Sequence, residues 1–400
     1  MIIRFKWFWI VGFLTVPWIA MRMLGIPVEP LVKTILAGFT IMAAAFLLTW
    51  AAEAAEHDFS GSLVLALLAL ITVSPEYAVD GTLVWYAGKD SSFAQYAIAN
   101  MTGANRLLVG LGWATVIYIF FWKTRGNKKS VSIPKIQRID CGILAVATLY
   151  AFFIAWRGNL AWFDAVVLVG LFCVYLYKIA GQPSVAIEVV GPAKAIVAIR
   201  TKTGRMLCAG FCMGYAAFAI YCSAEPFTKG LIEMGKIWGI GGFLLMQWLA
   251  PLASESPEFI VAILFALRMH PQKGLGLLVA SKVNQWTLLV GTIPVIFMIS
   301  QWSGIWNVAP FRLDAHQAQE IALTAAQSLL AVVLLANLNL SLWEAGLLVG
   351  LFLAQLLLPS YHGVFIGIYL FAATAFLIGR RRESLRAWRA IAKELLPKKK

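Results

Sequence analysis

The chain has 400 residues, of which 61% are apolar and only 13% charged, against about 25% charged in an ordinary soluble domain. This imbalance runs the whole length, which excludes both a soluble enzyme with a single membrane anchor and a disordered chain. The net charge of +14 lies in short stretches between apolar runs, so it reads as membrane topology, not as nucleic-acid binding.

The expected fold is an all-α polytopic membrane protein; the apolar runs are continuous, which argues against a transmembrane β-barrel. In chain order the spans are predicted at 7–24, 33–55, 60–86, 93–121, 139–156, 161–179, 205–224, 237–268, 274–300, 320–338, 341–358 and 361–379. The start carries Arg4 and Lys6 but no small-residue cleavage site before Arg22, so no cleaved signal peptide is expected. Basic residues gather in 122–138, in 180–205 and near 268–273, whereas 87–92 and 225–236, read as loops of the other side, carry fewer. With twelve spans the three basic segments share a side with both termini. The termini are therefore expected in the cytoplasm, and the protein in the cell (inner) membrane. The basic stretch from Arg380 to Lys400 places Leu385, Trp388, Ile391, Ala392 and Leu395 at helical spacing. It predicts an amphipathic helix lying on an anionic leaflet.

Several residue types point away from enzymatic chemistry. Cys141, Cys173, Cys208, Cys212 and Cys222 lie in or beside apolar runs, where packing is the expectation and a disulfide framework is not. His57, His270, His316 and His362 stand near predicted span ends, and there is neither a His-Glu-x-x-His motif nor a phosphate-binding loop. Glu53, Glu56, Asp58, Asp140, Asp164 and Glu344 also fall near span ends, where a solvated or snorkelling position is expected. No cofactor is expected, and the partners are membrane lipids and inorganic cations.

An internal repeat carries the functional signal. Ser74-Pro75-Glu76 returns as Ser256-Pro257-Glu258 at an offset of 182, and Leu107-Leu108-Val109-Gly110 returns as Leu288-Leu289-Val290-Gly291 at 181. The copies fall in the third and eighth predicted spans, so they cross in opposite directions, as in the inverted repeats of secondary transporters. Proline inside an apolar span frees a backbone carbonyl, and a mid-membrane glutamate costs roughly 2.5–3.5 kcal/mol. Together they predict a broken helix offering hard oxygen ligands to a cation. Around the motifs stand Thr72, Asp80, Ser254 and Glu255, and on the following spans Asn100, Asn105, Arg106, Ser281, Lys282 and Gln285. The clustered acids require protons, a bound ion, or pairing with Arg106 or Lys282.

These motifs resemble those of the cation/calcium exchanger superfamily, whose two inverted α-repeats each carry a Gly-Thr-Ser-x-Pro-Glu element followed by Gly-Ser-Asn-x-x-Asn or Asp. Here Ile71-Thr72-Val73-Ser74-Pro75-Glu76 and Ala253-Ser254-Glu255-Ser256-Pro257-Glu258 stand at the first element, and Ala280-Ser281-Lys282-Val283-Asn284-Gln285 at the second. The resemblance implies a secondary cation antiporter in which Glu76 and Glu258 bind the metal ion, helped by Thr72, Ser254, Glu255, Asn100, Asn105, Ser281 and Gln285. Asp80, Arg106 and Lys282 would compensate charge or carry protons. Lys282 replaces a family Asn, and either pairs with Glu255 or snorkels away. A helix pair or bundle is expected to slide against a core of the four repeat helices. The implied organisation is an extra span at 1–32, exchanger halves at 33–180 and 205–358 joined by a linker at 181–204, and an extra span with the basic tail at 359–400. The exchanged ions are calcium with sodium or proton. A sodium/proton or other cation/proton antiporter, or a non-transporting relative of the fold, remains the alternative.

Overall fold

A computed structural model describes residues 5–58, 73–181, 189, 191–301 and 309–396. The helices are α1 (Lys6–Met23), α2 (Pro30–Glu56), α3 (Ser74–Ala87), α4 (Ser91–Lys123), α5 (Lys135–Arg157), α6 (Trp162–Ala180), α7 (Lys202–Trp238), α8 (Gly242–Leu267), α9 (Pro271–Ser300), α10 (Ala315–Leu335), α11 (Leu342–Leu357), α12 (Pro359–Gly379) and α13 (Arg381–Leu395). Among the described residues nine of them, all but α1, α3, α11 and α13, are long and apolar enough to cross a membrane. The expected twelve are not all reached on that measure. Lys6 and Arg22 lie within α1, α11 is a shorter apolar helix, and part of the predicted span 60–86 lies outside the described residues. The segment 225–236, expected as a loop, is instead the last third of α7, which continues through Pro226. Its charges find partners on helices: Lys33 donates to Glu233 at 3.0 Å and Lys229 to Glu225 at 2.9 Å.

The chain folds as two compact units, Met1–Leu83 with Ala180–Pro257 and Val84–Ile179 with Glu258–Lys400. In the first, α2 and α7 pack closely because small residues let their backbones meet. A Cβ on Gly230 would strike Thr34 Oγ1 at 2.1 Å, and one on Gly38 the ring of Phe227 at 2.8 Å. α1 joins them through Phe8, which meets Trp50 edge-on at 5.2 Å, and through the hydrogen bond of Thr15 with Tyr215. Part of the predicted linker also folds into this core, where Ala193, Ala195 and Ile196 are buried.

The second unit displays the repeat in its backbone. Strand β1 (Ser130–Ser132) pairs with β4 (Asn339–Ser341), and β2 (Asn159–Leu160) with β3 (Phe311–Arg312), both antiparallel. At the repeat offset β1 corresponds to β3 and β2 to β4, so each strand pairs with the counterpart of its own neighbour, as a pseudo-twofold axis requires. The echoed glycines follow the same rule. Gly110 of α4 lies so close to Phe352 of α11 that a Cβ would meet its ring at 2.3 Å, and Gly291 of α9 faces Leu168 and Val169 of α6 at 3.1 Å. Both α4 and α9 carry a π-helical turn beside this echo, over Leu108–Trp113 and Gln285–Leu289, a distortion found frequently at functional sites.

Three acids expected in solvent are buried in this unit. Asp140 accepts from Tyr175 at 3.0 Å. Asp164 accepts from Tyr150 at 2.6 Å, from the Ala161 amide at 2.6 Å and from Arg157. Glu344 accepts from Ser341 at 2.6 Å and from Arg380 at 2.6 Å. Each has donors that offset the cost of burial. The last two expose a further echo, at offset 180: Asn159-Leu160-Ala161-Trp162-Phe163-Asp164 against Asn339-Leu340-Ser341-Leu342-Trp343-Glu344. The expected amphipathic helix exists as α13, but part of its apolar face packs on protein. Ile391 is buried, and Gly142 of α5 sits against Ile391 and Leu395.

Candidate cation-binding site

The predicted acids are buried, each on a helix that the repeat places. Glu76 lies in the first turn of α3, behind Pro75, with Asp80 one turn further. In the second copy Pro257 lies inside an uninterrupted α8, which also contains Pro251, so the expected break is absent there. The reason is local. Pro257 cannot donate to the Ala253 carbonyl, and the Ser256 hydroxyl donates to it at 3.3 Å instead. Ser254 likewise donates to the Ala250 carbonyl at 3.2 Å, which leaves its oxygen lone pairs to act as acceptors.

Within the first unit Glu76 and Glu255 bring carboxylate oxygens within 4.8 Å of each other. On α8, Glu255 and Glu258 stand one turn apart, also with oxygens within 4.8 Å. All three side chains are buried. Two carboxylates at that spacing repel by about 3–4 kcal/mol at an effective dielectric of about 20, so charge must be compensated locally by protons or a cation. Calcium binds oxygen at about 2.3–2.6 Å. Two of its ligands therefore lie at most about 4.6–5.2 Å apart, which the observed spacing satisfies.

Within the second unit, α4 and α9 carry the other predicted residues. Ser281 donates its hydroxyl to Glu258 and so fixes that carboxylate. Lys282 is buried, which overturns the snorkelling alternative. Its ammonium donates to Asn105 Oδ1 at 2.8 Å and to the Asn105 carbonyl at 3.2 Å, and lies 4.6 Å from the Trp286 ring centre. Asn105 is held in turn by its own donation to the Met101 carbonyl at 2.8 Å. Asn100 and Gln285 are buried on the same two helices. Thr72 lies outside the described residues.

Arg106 forms an ion pair with Glu320 of α10, both fully buried. The other Glu320 oxygen meets His362 Nδ1 at 2.5 Å, and the opposite ring nitrogen of His362 lies 3.1 Å from the Gln355 carbonyl. Gln327 donates to the Arg106 carbonyl at 3.2 Å, and Gln355 to Gln327 at 3.4 Å. Sequence reasoning missed this network and left His362 among scattered span-end histidines. A signal was present: Gln317, Glu320, Thr324, Gln327 and Ser328 fall on one face of α10, a polar stripe inside an apolar helix.

Buried acids on the repeat helices of a multi-pass protein are the arrangement that secondary transporters use for cation sites. The chain belongs to the sodium/calcium exchanger protein family, whose model matches residues 30–180 and 208–361. The crystal structure of an H+/Ca2+ exchanger, CAX, is similar to it with 39% identity and a TM-score of 0.90, over 98% of each chain. Native YfkE shares the fold at 14% identity and a TM-score of 0.62, over 88% of this chain and 98% of its own. The sodium-calcium exchanger NCX_Mj shares it at 16% and 0.53, over 82% and 97%. No curated protein sequence matches the chain.

Proposed function

We propose that this chain exchanges calcium for protons by alternating access, with Glu76, Glu255 and Glu258 as the carboxylates that bind them in turn. The observation that carries the reading is the burial of Glu76 and Glu255 within one unit with oxygens at one-cation spacing, and of Glu258 one turn on along α8. Three carboxylates outweigh a divalent charge, and when the metal leaves, protons restore neutrality in a site too dry to hold bare charges. Ser281 orients Glu258, while Ser254, Asn100 and Gln285, with Thr72, complete the oxygen ligand set. Asn105 anchors Lys282, whose fixed positive charge lowers the number of mobile cations the site requires. Asp80 and Arg106 adjust the charge around it. The 39% identity to an exchanger described as H+/Ca2+ favours the proton over sodium as counter-ion, because the likeness to NCX_Mj extends to the fold alone.

The topology we propose has twelve spans: exchanger halves at 33–180 and 205–358, joined by the linker 181–204, with an extra span before and after them. Both termini face the cytoplasm of the inner membrane. The shared hollow lined by Lys6 and by Lys194 supports this, because it puts the start of α1 and the basic linker on one side of the first unit. The deciding experiment is flux in proteoliposomes loaded with calcium, under a pH gradient or a sodium gradient applied separately. Wild type is expected to move calcium under the pH gradient, and Glu76→Gln and Glu258→Gln to lose that flux while still folding. Flux driven by sodium alone refutes the proton reading. Absence of calcium, sodium and proton flux in well-folded wild type refutes exchange altogether.

A further inference from the structure

The first unit holds a hollow that cation exchange does not use. It measures about 450 Å³, and its walls are aromatic: Phe5 just before α1, and Phe8, Trp9 and Phe13 of α1, with Phe211 and Tyr215 of α7. Counted from Phe5 these residues recur at i, i+3, i+4 and i+8, so they continue one stripe of the helix. Phe13 and Phe211 remain largely exposed. Gly12 lies in the same wall, and a Cβ there would meet nothing within 4 Å. The space is therefore real, and the backbone of α1 is its floor.

A second hollow, of about 370 Å³, opens at the start of α1. Lys6 and Trp7 line one side of it, and Lys194 with Gly191 and Pro192 the other. Phe5 lines the aromatic hollow and its chain neighbour Lys6 the basic one, so both reach the start of α1. Neither lining contains an acidic side chain among the described residues, and neither lysine has an ion-pair partner among them. Lys6 lies 5.6 Å from the ring centre of Trp7.

We propose that these two hollows are one site for a single anionic phospholipid, its phosphate between Lys6 and Lys194 and an acyl chain along the aromatic stripe of α1. An acyl chain suits a wall of rings in a membrane protein, and the size falls in the range of small-molecule sites, about 300–1,000 Å³. Two lysines without acids at the end of an apolar groove select an anionic headgroup over a zwitterionic one. The lipid would hold α1 against α2 and α7. The proposal is independent of which ion the protein exchanges.

The test measures lipid retention by native mass spectrometry on the full chain, purified with phosphatidylglycerol or with phosphatidylcholine of the same acyl chains. Wild type is expected to keep one phosphatidylglycerol with a preference of about thirtyfold, from two lysines near an anionic group. The double variant Lys6→Gln/Lys194→Gln is expected to lose the preference while eluting as a folded protein. Gly12→Trp, which fills the groove without touching either lysine, is expected to lose the retained lipid of either headgroup. Unchanged retention and preference in both variants overturns the proposal. So does a wild-type dimer whose cross-links run through α1, since the groove is then covered by a second copy.

Discussion

Glu320→Gln removes one charge from a pair that no solvent reaches, and leaves the shape of the side chain intact. Arg106 and Glu320 both have fully buried side chains, so the screening that makes surface pairs nearly neutral does not apply. The guanidinium then stays buried with its principal counter-charge gone, a change that costs about 3–5 kcal/mol in comparable sites. The second unit is of the size for which 1 kcal/mol moves a thermal midpoint by about 2–4 °C. The expected fall is thus about 6–20 °C, measured as loss of the monodisperse peak on heating in detergent. The companion is Arg106→Leu/Glu320→Leu, which removes both charges and fills their space with apolar groups. Buried pairs replaced in that way are often neutral or stabilising, so the double variant is expected to recover most of the loss. A Glu320→Gln midpoint equal to wild type refutes the argument. A double variant as unstable as the single one refutes it too, because the damage then comes from something other than the stranded charge.

Other substitutions probe the remaining links. Lys282→Met removes the fixed charge while keeping length, and is expected to tighten calcium binding by about tenfold; weaker binding would mean that Lys282 acts only by holding Asn105. Gly142→Leu drives a side chain into Ile391 and Leu395; it is expected to cost about 1–3 kcal/mol and to make α13 cleavable by protease, and a still-protected tail refutes that packing. Arg205 donates two hydrogen bonds to Asp58 and holds its carboxyl below the ordinary value. Because the folded value is the lower one, the stabilisation is present above the unfolded carboxylate pKa, near 3.9, and is lost as pH falls through the folded value. Asp58→Asn is therefore expected to lower the thermal midpoint at pH 7, with the difference from wild type closing as the pH drops below about 4; a difference that grows on acidification reverses the sign and refutes the pairing.

What could be read in the sequence depended on whether a feature is local. Ser-Pro-Glu and Leu-Leu-Val-Gly announce the repeat because several identical residues stand together. The structure shows why the second pair recurs: Gly110 and Gly291 let the backbones of α4 and α9 meet α11 and α6, so the repeat preserves an approach of chains, not a ligand. The third echo is fainter, because only Asn-Leu is identical and Asp164 answers Glu344 across changed neighbours; their shared burial and arginine partners, Arg157 and Arg380, reveal the match. The sequence suggests a solvated or snorkelling position for Asp140, Asp164 and Glu344 for one reason. Hydropathy locates the ends of a span, whereas burial is decided by the helix standing opposite. Glu320 makes the same point more strongly, since its partner Arg106 lies 214 residues away. The proline of α8 shows the converse. A missing backbone donor is visible in the sequence, but the hydroxyl of Ser256 that replaces it on the Ala253 carbonyl acts only once the helix has formed. The same division governs the site. Identical motifs single out Glu76 and Glu258, and Glu255 stands beside one of them. What the motifs do not show is that Glu76 and Glu255, buried within one unit, bring oxygens within 4.8 Å of each other, a property of packed helices that no single stretch of chain encodes.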